Sequence, residues 1–137
     1  MLALIAAGPS FAVTRTLKIT PPTAVVAGTK VNVSVYASTD AGGGEHIGFF
    51  HGEYSTDSGK TWSAFCFEQK LGPTVTRMAS FTAGSVGSTA IVRVRIAYRG
   101  GKAGDVDFNG APISWGDSWA NWTEPPARIA TLTVGAK

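Results

Sequence analysis

From Thr14 onward the chain alternates apolar and polar residues with a period of two. This is the spacing of a strand that buries one face and exposes the other. Leu17 and Ile19 alternate with Thr16, Lys18 and Thr20, until Pro21-Pro22 ends the run; proline has no N–H to give to a ladder. Val31, Val33 and Val35 alternate with Lys30, Asn32, Ser34 and Tyr36. Further strands are predicted over His46 to Ser55, Trp62 to Gln69 and Thr74 to Thr82. The clearest alternation runs from Ala90 to Arg99, with Val92, Val94, Ile96 and Tyr98 on one face and Arg93, Arg95, Ala97 and Arg99 on the other. Arg128 to Val134 closes the series, with Ala130, Leu132 and Val134 facing inward. Glycine-rich turns at Asp40 to Gly44 and Ala83 to Ser88, together with Asp57 to Lys60 and Gly72-Pro73, separate these runs. About seven strands punctuated in this way predict an all-β, antiparallel sandwich. No long segment shows a period near 3.6, so helical bundles and βαβ folds are poor fits. The stretch from Gly100 to Pro126 is too long for a hairpin connection, and long loops of this kind are often functional.

Composition sharpens the picture. The chain has 137 residues, the length of one domain, and residues 13–137 are expected to form it. Only 15% of residues are charged, against roughly 25% in soluble domains generally. With 17 glycines and many Thr, Ser and Val, this suits an extracellular β protein. The net charge of +3 is scattered, which argues against a nucleic-acid partner, since such proteins concentrate base on one stripe. No apolar run reaches the length of a membrane-spanning helix. Leu2 to Ala7 is a short apolar run, and Ser10-Phe11-Ala12 has the small-x-small form of a signal-peptidase site. Residues 1–12 therefore read as a signal peptide, with a mature start near Val13 and a secreted, extracellular or periplasmic location. Cys66 is the single cysteine, so no intrachain disulfide can form; its neighbours Phe65 and Phe67 predict burial.

The sharpest local motif is Ser55-Thr56-Asp57-Ser58-Gly59-Lys60-Thr61-Trp62. It is similar to the Asp-box hairpins of sialidase-like propellers and to turns in bacterial immunoglobulin-like domains. One copy in a chain this short does not make a propeller, which needs about four to eight blades. We therefore read Ser55, Asp57, Gly59, Thr61 and Trp62 as a structural turn. In that turn Asp57 accepts turn amides, Gly59 takes positive φ and Trp62 packs beneath.

Two further groups carry candidate binding chemistry. Asp105, Asp107 and Asn109, followed by Gly110, have the alternate-oxygen spacing of a calcium loop, although Gly116 stands where an EF-hand needs a bidentate Glu. An Asx-rich turn is the plainer reading, and calcium the chemical one. Trp115, Trp119 and Trp122 fall within eight residues. They form either a plug over one end of the sandwich or an exposed platform for a glycan or protein surface.

Other constellations are weaker. His51 and Glu53 share a strand face, but two ligands do not make a zinc site, so a solvated face is expected there. Arg93, Arg95 and Arg99 are likewise expected on a charged outer face. Cys66 with His51, and Glu45 with Glu53, are the available nucleophile and carboxylate pairs, and nothing in their spacing selects them. No esterase elbow, zinc-protease motif or phosphate loop is present.

By strand count, alternation and the hairpin ending in Thr61-Trp62, the body of the chain resembles a bacterial immunoglobulin-like or fibronectin type III-like sandwich. It departs from antibody domains in lacking paired cysteines. The resemblance implies a non-enzymatic adhesive, spacer or assembly unit at the cell surface or in an extracellular filament, with protein partners or self-association through sheet edges. The alternative is a carbohydrate-binding module that uses Trp115, Trp119 and Trp122. A small hydrolase is the third expectation.

Overall fold

The structure, a computed structural model, describes residues 14–101, 104–106, 109, 110, 112 and 128–136. These residues form nine strands and no helix. The strands are β1 (Arg15–Thr20), β2 (Val25–Val26), β3 (Lys30–Thr39), β4 (His46–Ser55), β5 (Ser63–Gln69), β6 (Thr74–Thr82), β7 (Thr89–Gly101), β8 (Gly104–Val106) and β9 (Arg128–Gly135). The seven strands expected from alternation are all present. The two additional ones, β2 and β8, are two and three residues long, too short to show a period.

The strands make two sheets. One has the order β1-β3-β6; the other runs β2-β9-β7-β4-β5, with β8 on β7. All pairings are antiparallel except β2 with β9, which is parallel and joins Val25 to Val134 and Val26 to Gly135. The inward faces meet in one apolar cluster. Val31, Val33, Val35, Ala79 and Phe81 come from the smaller sheet, and Ile47, Phe50, Val92, Val94 and Ile96 from the larger. Burial of the Val, Ile and Phe side chains, at about 1.5–3 kcal/mol each, is the main force joining the sheets.

A break in alternation explains the adjacent Phe49 and Phe50. The β4 register against β7 shifts between Ile47 and Phe49, so Gly48 is an extra residue in the strand. The bulge brings Ile47 and Phe50 both to the core and turns Phe49 outward, as an inserted residue must. A second shift, against β5, falls between Gly52 and Glu53. There a Cβ on Gly52 would lie 2.3 Å from the Phe65 ring, so only glycine fits the close approach without movement.

Polar ties cross between the sheets. Tyr98, fully buried on β7, donates its hydroxyl to the Thr16 carbonyl on β1 at 2.9 Å; burial raises its pKa. At one end Arg15 makes two 2.8 Å bonds to Glu45, which also accepts the Thr39 hydroxyl at 2.5 Å. The Arg15 bonds pull the Glu45 carboxyl below its usual value against the opposing effect of burial. Along one long edge Arg77 of β6 pairs with Glu68 of β5 at 2.5 and 2.7 Å.

Candidate functional site

The hairpin between β4 and β5 is organised by its own side chains. Ser55, at the end of β4, is 1% exposed. Its Oγ accepts the Gly59 N–H at 2.8 Å and the Asp57 N–H at 3.3 Å, and donates to Asp57 Oδ1 at 2.8 Å. Asp57 then accepts the Thr61 N–H at 2.9 Å and the Thr61 hydroxyl at 2.6 Å. The Thr61 bonds, with Ser55, lower the Asp57 pKa to about 2. Ser58 and Gly59 both have positive φ, 62° and 89°, a conformation that costs a side chain energy and glycine little. Ser58 also docks the turn onto β7, giving its N–H to the Thr89 carbonyl and accepting the Thr89 N–H on its hydroxyl.

Trp62 links this turn to the outer face of the larger sheet. The Arg93 guanidinium lies 3.6 Å from the centre of a Trp62 ring, a cation–π stack. Arg93 also gives Nε–H and Nη2–H to Glu53 Oε1 at 3.0 and 2.6 Å. Glu53 Oε2 lies 3.7 Å from His51 Nε2, and His51 Nδ1 accepts from Arg95 Nε at 3.1 Å. The result is a continuous polar chain, Trp62–Arg93–Glu53–His51–Arg95, running across β4 and β7. Phe67 on β5 packs edge-on to His51 and to Phe49, at 4.8 and 4.9 Å between ring centres.

This face corrects the expectation of a solvated surface. His51 is 5% exposed and Arg95 is 1% exposed. Burial, then the Arg95 charge, lowers the His51 pKa to about 4. The imidazole is therefore neutral at physiological pH, an acceptor at Nδ1 toward Arg95. Among the described residues no three of His, Cys, Asp and Glu come together as a metal-binding group, so His51 and Glu53 gain no third ligand from them.

The candidate reactive pairs are separated by the fold. Cys66 lies opposite Gly52, and His51 opposite Phe67. Cys66 belongs to the core cluster while His51 belongs to the outer face, so the sheet stands between thiol and imidazole. Burial raises the Cys66 pKa to about 12. Glu45 and Glu53 are eight positions apart along the same stretch of chain, about 25 Å at strand rise, far beyond the roughly 5–10 Å of a glycosidase pair. Each is already bonded to an arginine.

The Trp115, Trp119 and Trp122 cluster and Asp107 lie outside the described residues, as does the Asp105 side chain. Asn109 is exposed, beside Gly110 at φ 86°. No helix among the described residues is long and apolar enough to cross a membrane. The buried His51–Arg95 pair is the feature sequence reasoning missed. Its signal was faint: two ionisable residues at outward positions on strands that turn out to be neighbours. No protein-family model matches this chain, and no curated protein does either.

Proposed function

We propose that this chain is a non-enzymatic, secreted β-sandwich domain of the immunoglobulin-like kind that acts through protein contacts, including contacts between its own copies. One observation carries the reading. The described side chains best suited to chemistry, Glu45, Glu53, Glu68, His51 and their arginines, bond strand to strand and sheet to sheet. They brace a scaffold. The strand order supports this reading: the orders β1-β3-β6 and β9-β7-β4 would match A-B-E and G-F-C of an immunoglobulin-like sandwich.

The test is light scattering on the chain from Val13 onward. Concentration-dependent or large assemblies are expected; a strictly monomeric chain at high concentration counts against the self-association part of the reading. Export is tested by mass spectrometry of protein recovered outside the cytoplasm, where an N-terminus at Val13 is expected.

A further inference from the structure

Asparagine is among the thermolabile side chains, because its amide carbon lies within reach of the next residue's backbone nitrogen. Whether it reacts depends on what surrounds that nitrogen. The described residues include two asparagines, Asn32 and Asn109, and the fold treats them oppositely. Asn32 lies inside β3, opposite Ser80 of β6. Its side-chain oxygen accepts the Ser80 hydroxyl at 2.7 Å. The residue after it is Val33, β-branched and fully buried. Ladder, side-chain bond and branched neighbour hold Asn32 in one extended arrangement.

Asn109 is exposed and is followed by Gly110. The two stand between Val106 and Pro112, which an antiparallel bridge joins, so they belong to a short turn rather than to a strand. Gly110 has φ 86°, in the left-handed region that glycine enters at little cost. Without a Cβ, nothing on Gly110 itself shields its nitrogen. A charged group stands close by: a Cβ on Gly110 would lie 3.0 Å from Nη1 of Arg15. The Nε and Nη2 of that guanidinium hold Glu45, and its third nitrogen meets Gly110. A nearby cation favours the anionic form of its neighbour, here the Gly110 amide, which must lose its proton before it can attack.

We propose that Asn109-Gly110 is a self-modification site, where asparagine converts through a cyclic imide to aspartate and isoaspartate and the Arg15 charge favours the attack. The deprotonated Gly110 nitrogen adds to Cγ of Asn109. The N–Cγ bond forms, the Cγ–Nδ2 bond breaks, and Nδ2 takes up a proton and leaves as ammonia. Water then opens the ring. Addition at Cγ restores the ordinary backbone as aspartate; addition at the main-chain carbonyl of residue 109 leaves the chain running through Cγ as isoaspartate. One water is consumed, one ammonia is released, and nothing is oxidised or reduced. The product adds one negative charge to a chain of formal net charge +3. Its carboxylate arises next to the glycine that meets Arg15, at the end of the sandwich where Arg15 ties Glu45.

The experiment follows the full chain at pH 8 over weeks, in buffer and in concentrated urea. Peptide mass spectrometry reads the conversion, and enzymatic methylation reads isoaspartate. Wild type is compared with Asn109→Gln, Gly110→Ala, Arg15→Gln and Arg15→Lys. In buffer, the wild-type peptide holding Asn109 should gain the mass difference between NH and O and be methylated, while the peptide holding Asn32 keeps its mass. Asn109→Gln should give neither signal. Gly110→Ala, which adds the shielding Cβ, should slow conversion at least about tenfold; should it not fold, Asn109→Gln decides. Arg15→Gln should slow conversion severalfold, and Arg15→Lys should restore most of the rate. A wild-type Asn109 that converts in urea but not in buffer overturns the proposal, because the fold then protects the turn. An equal or faster rate in Arg15→Gln overturns the part given to Arg15.

Discussion

Arg95 on β7 donates from Nε to Nδ1 of His51, its direct cross-strand neighbour on β4, at 3.1 Å. An arginine side chain can only donate, so the accepting nitrogen is unprotonated and the imidazole proton sits on Nε2, 3.7 Å from Glu53 Oε2. Burial, reinforced by the Arg95 charge, keeps this histidine neutral, and the bond from Arg95 fixes its tautomer.

Acid should weaken the fold in a window set by His51. Its pKa is near 4 in the folded chain against an ordinary 6.5. As pH falls below 6.5 the unfolded chain takes up a proton that the folded chain refuses, so stability declines until about pH 4 and then levels for this group. The full loss is on the order of 3 kcal/mol. Urea unfolding of wild type and His51→Gln at pH 7 and pH 4.5 checks this: the wild type should lose stability between the two, and the variant much less.

Cys66 should be inert in the native protein. Its thiol is buried and its pKa is raised to about 12, so almost no thiolate exists at pH 8. Ellman's reagent should leave it unmodified in buffer and react with it fully in concentrated urea. Rapid modification of the folded protein would contradict the burial.

Ser55→Ala should destabilise the hairpin by about 1–2 kcal/mol, because it strips a buried acceptor from the Gly59 and Asp57 amides. The Asp57 contribution behaves differently with pH. With its carboxyl held down to about 2 by Thr61 and Ser55 against an ordinary 3.8, its benefit is whole above 3.8 and is lost as pH falls toward 2. Thermal melts of Ser55→Ala and Asp57→Asn at pH 7 and again below pH 2 separate the two effects: the Asp57→Asn deficit shrinks at the lower pH while the Ser55→Ala deficit persists.

The two inter-sheet carboxylates should differ in weight. Side-chain exposure is 2% for Glu45 and 33% for Glu68. Removing Glu45 leaves Arg15 without its carboxylate in a nearly buried site, and Glu45→Ala should cost about 3 kcal/mol. Glu68→Ala exposes Arg77 to water and should cost about 1 kcal/mol or less. Denaturation midpoints of the two variants give the comparison directly.

Much of this architecture could be read along the chain. Alternation at Val92, Val94, Ile96 and Tyr98 marks β7 and its buried face, since side-chain direction in a strand is a local property of the backbone. The Ser55–Trp62 turn was legible for the same reason: the bonds among its own residues span at most four positions. Partner choice was not legible. Nothing local says that β1 and β4 belong to different sheets, that two residues after Pro21-Pro22 pair in parallel with the far end of the chain, or that Gly48 is an inserted residue. Nor does it say that His51 and Arg95, both at outward positions, are buried against each other. Pairing and burial depend on which distant segments pack together. That is decided by the whole core rather than by any stretch of sequence.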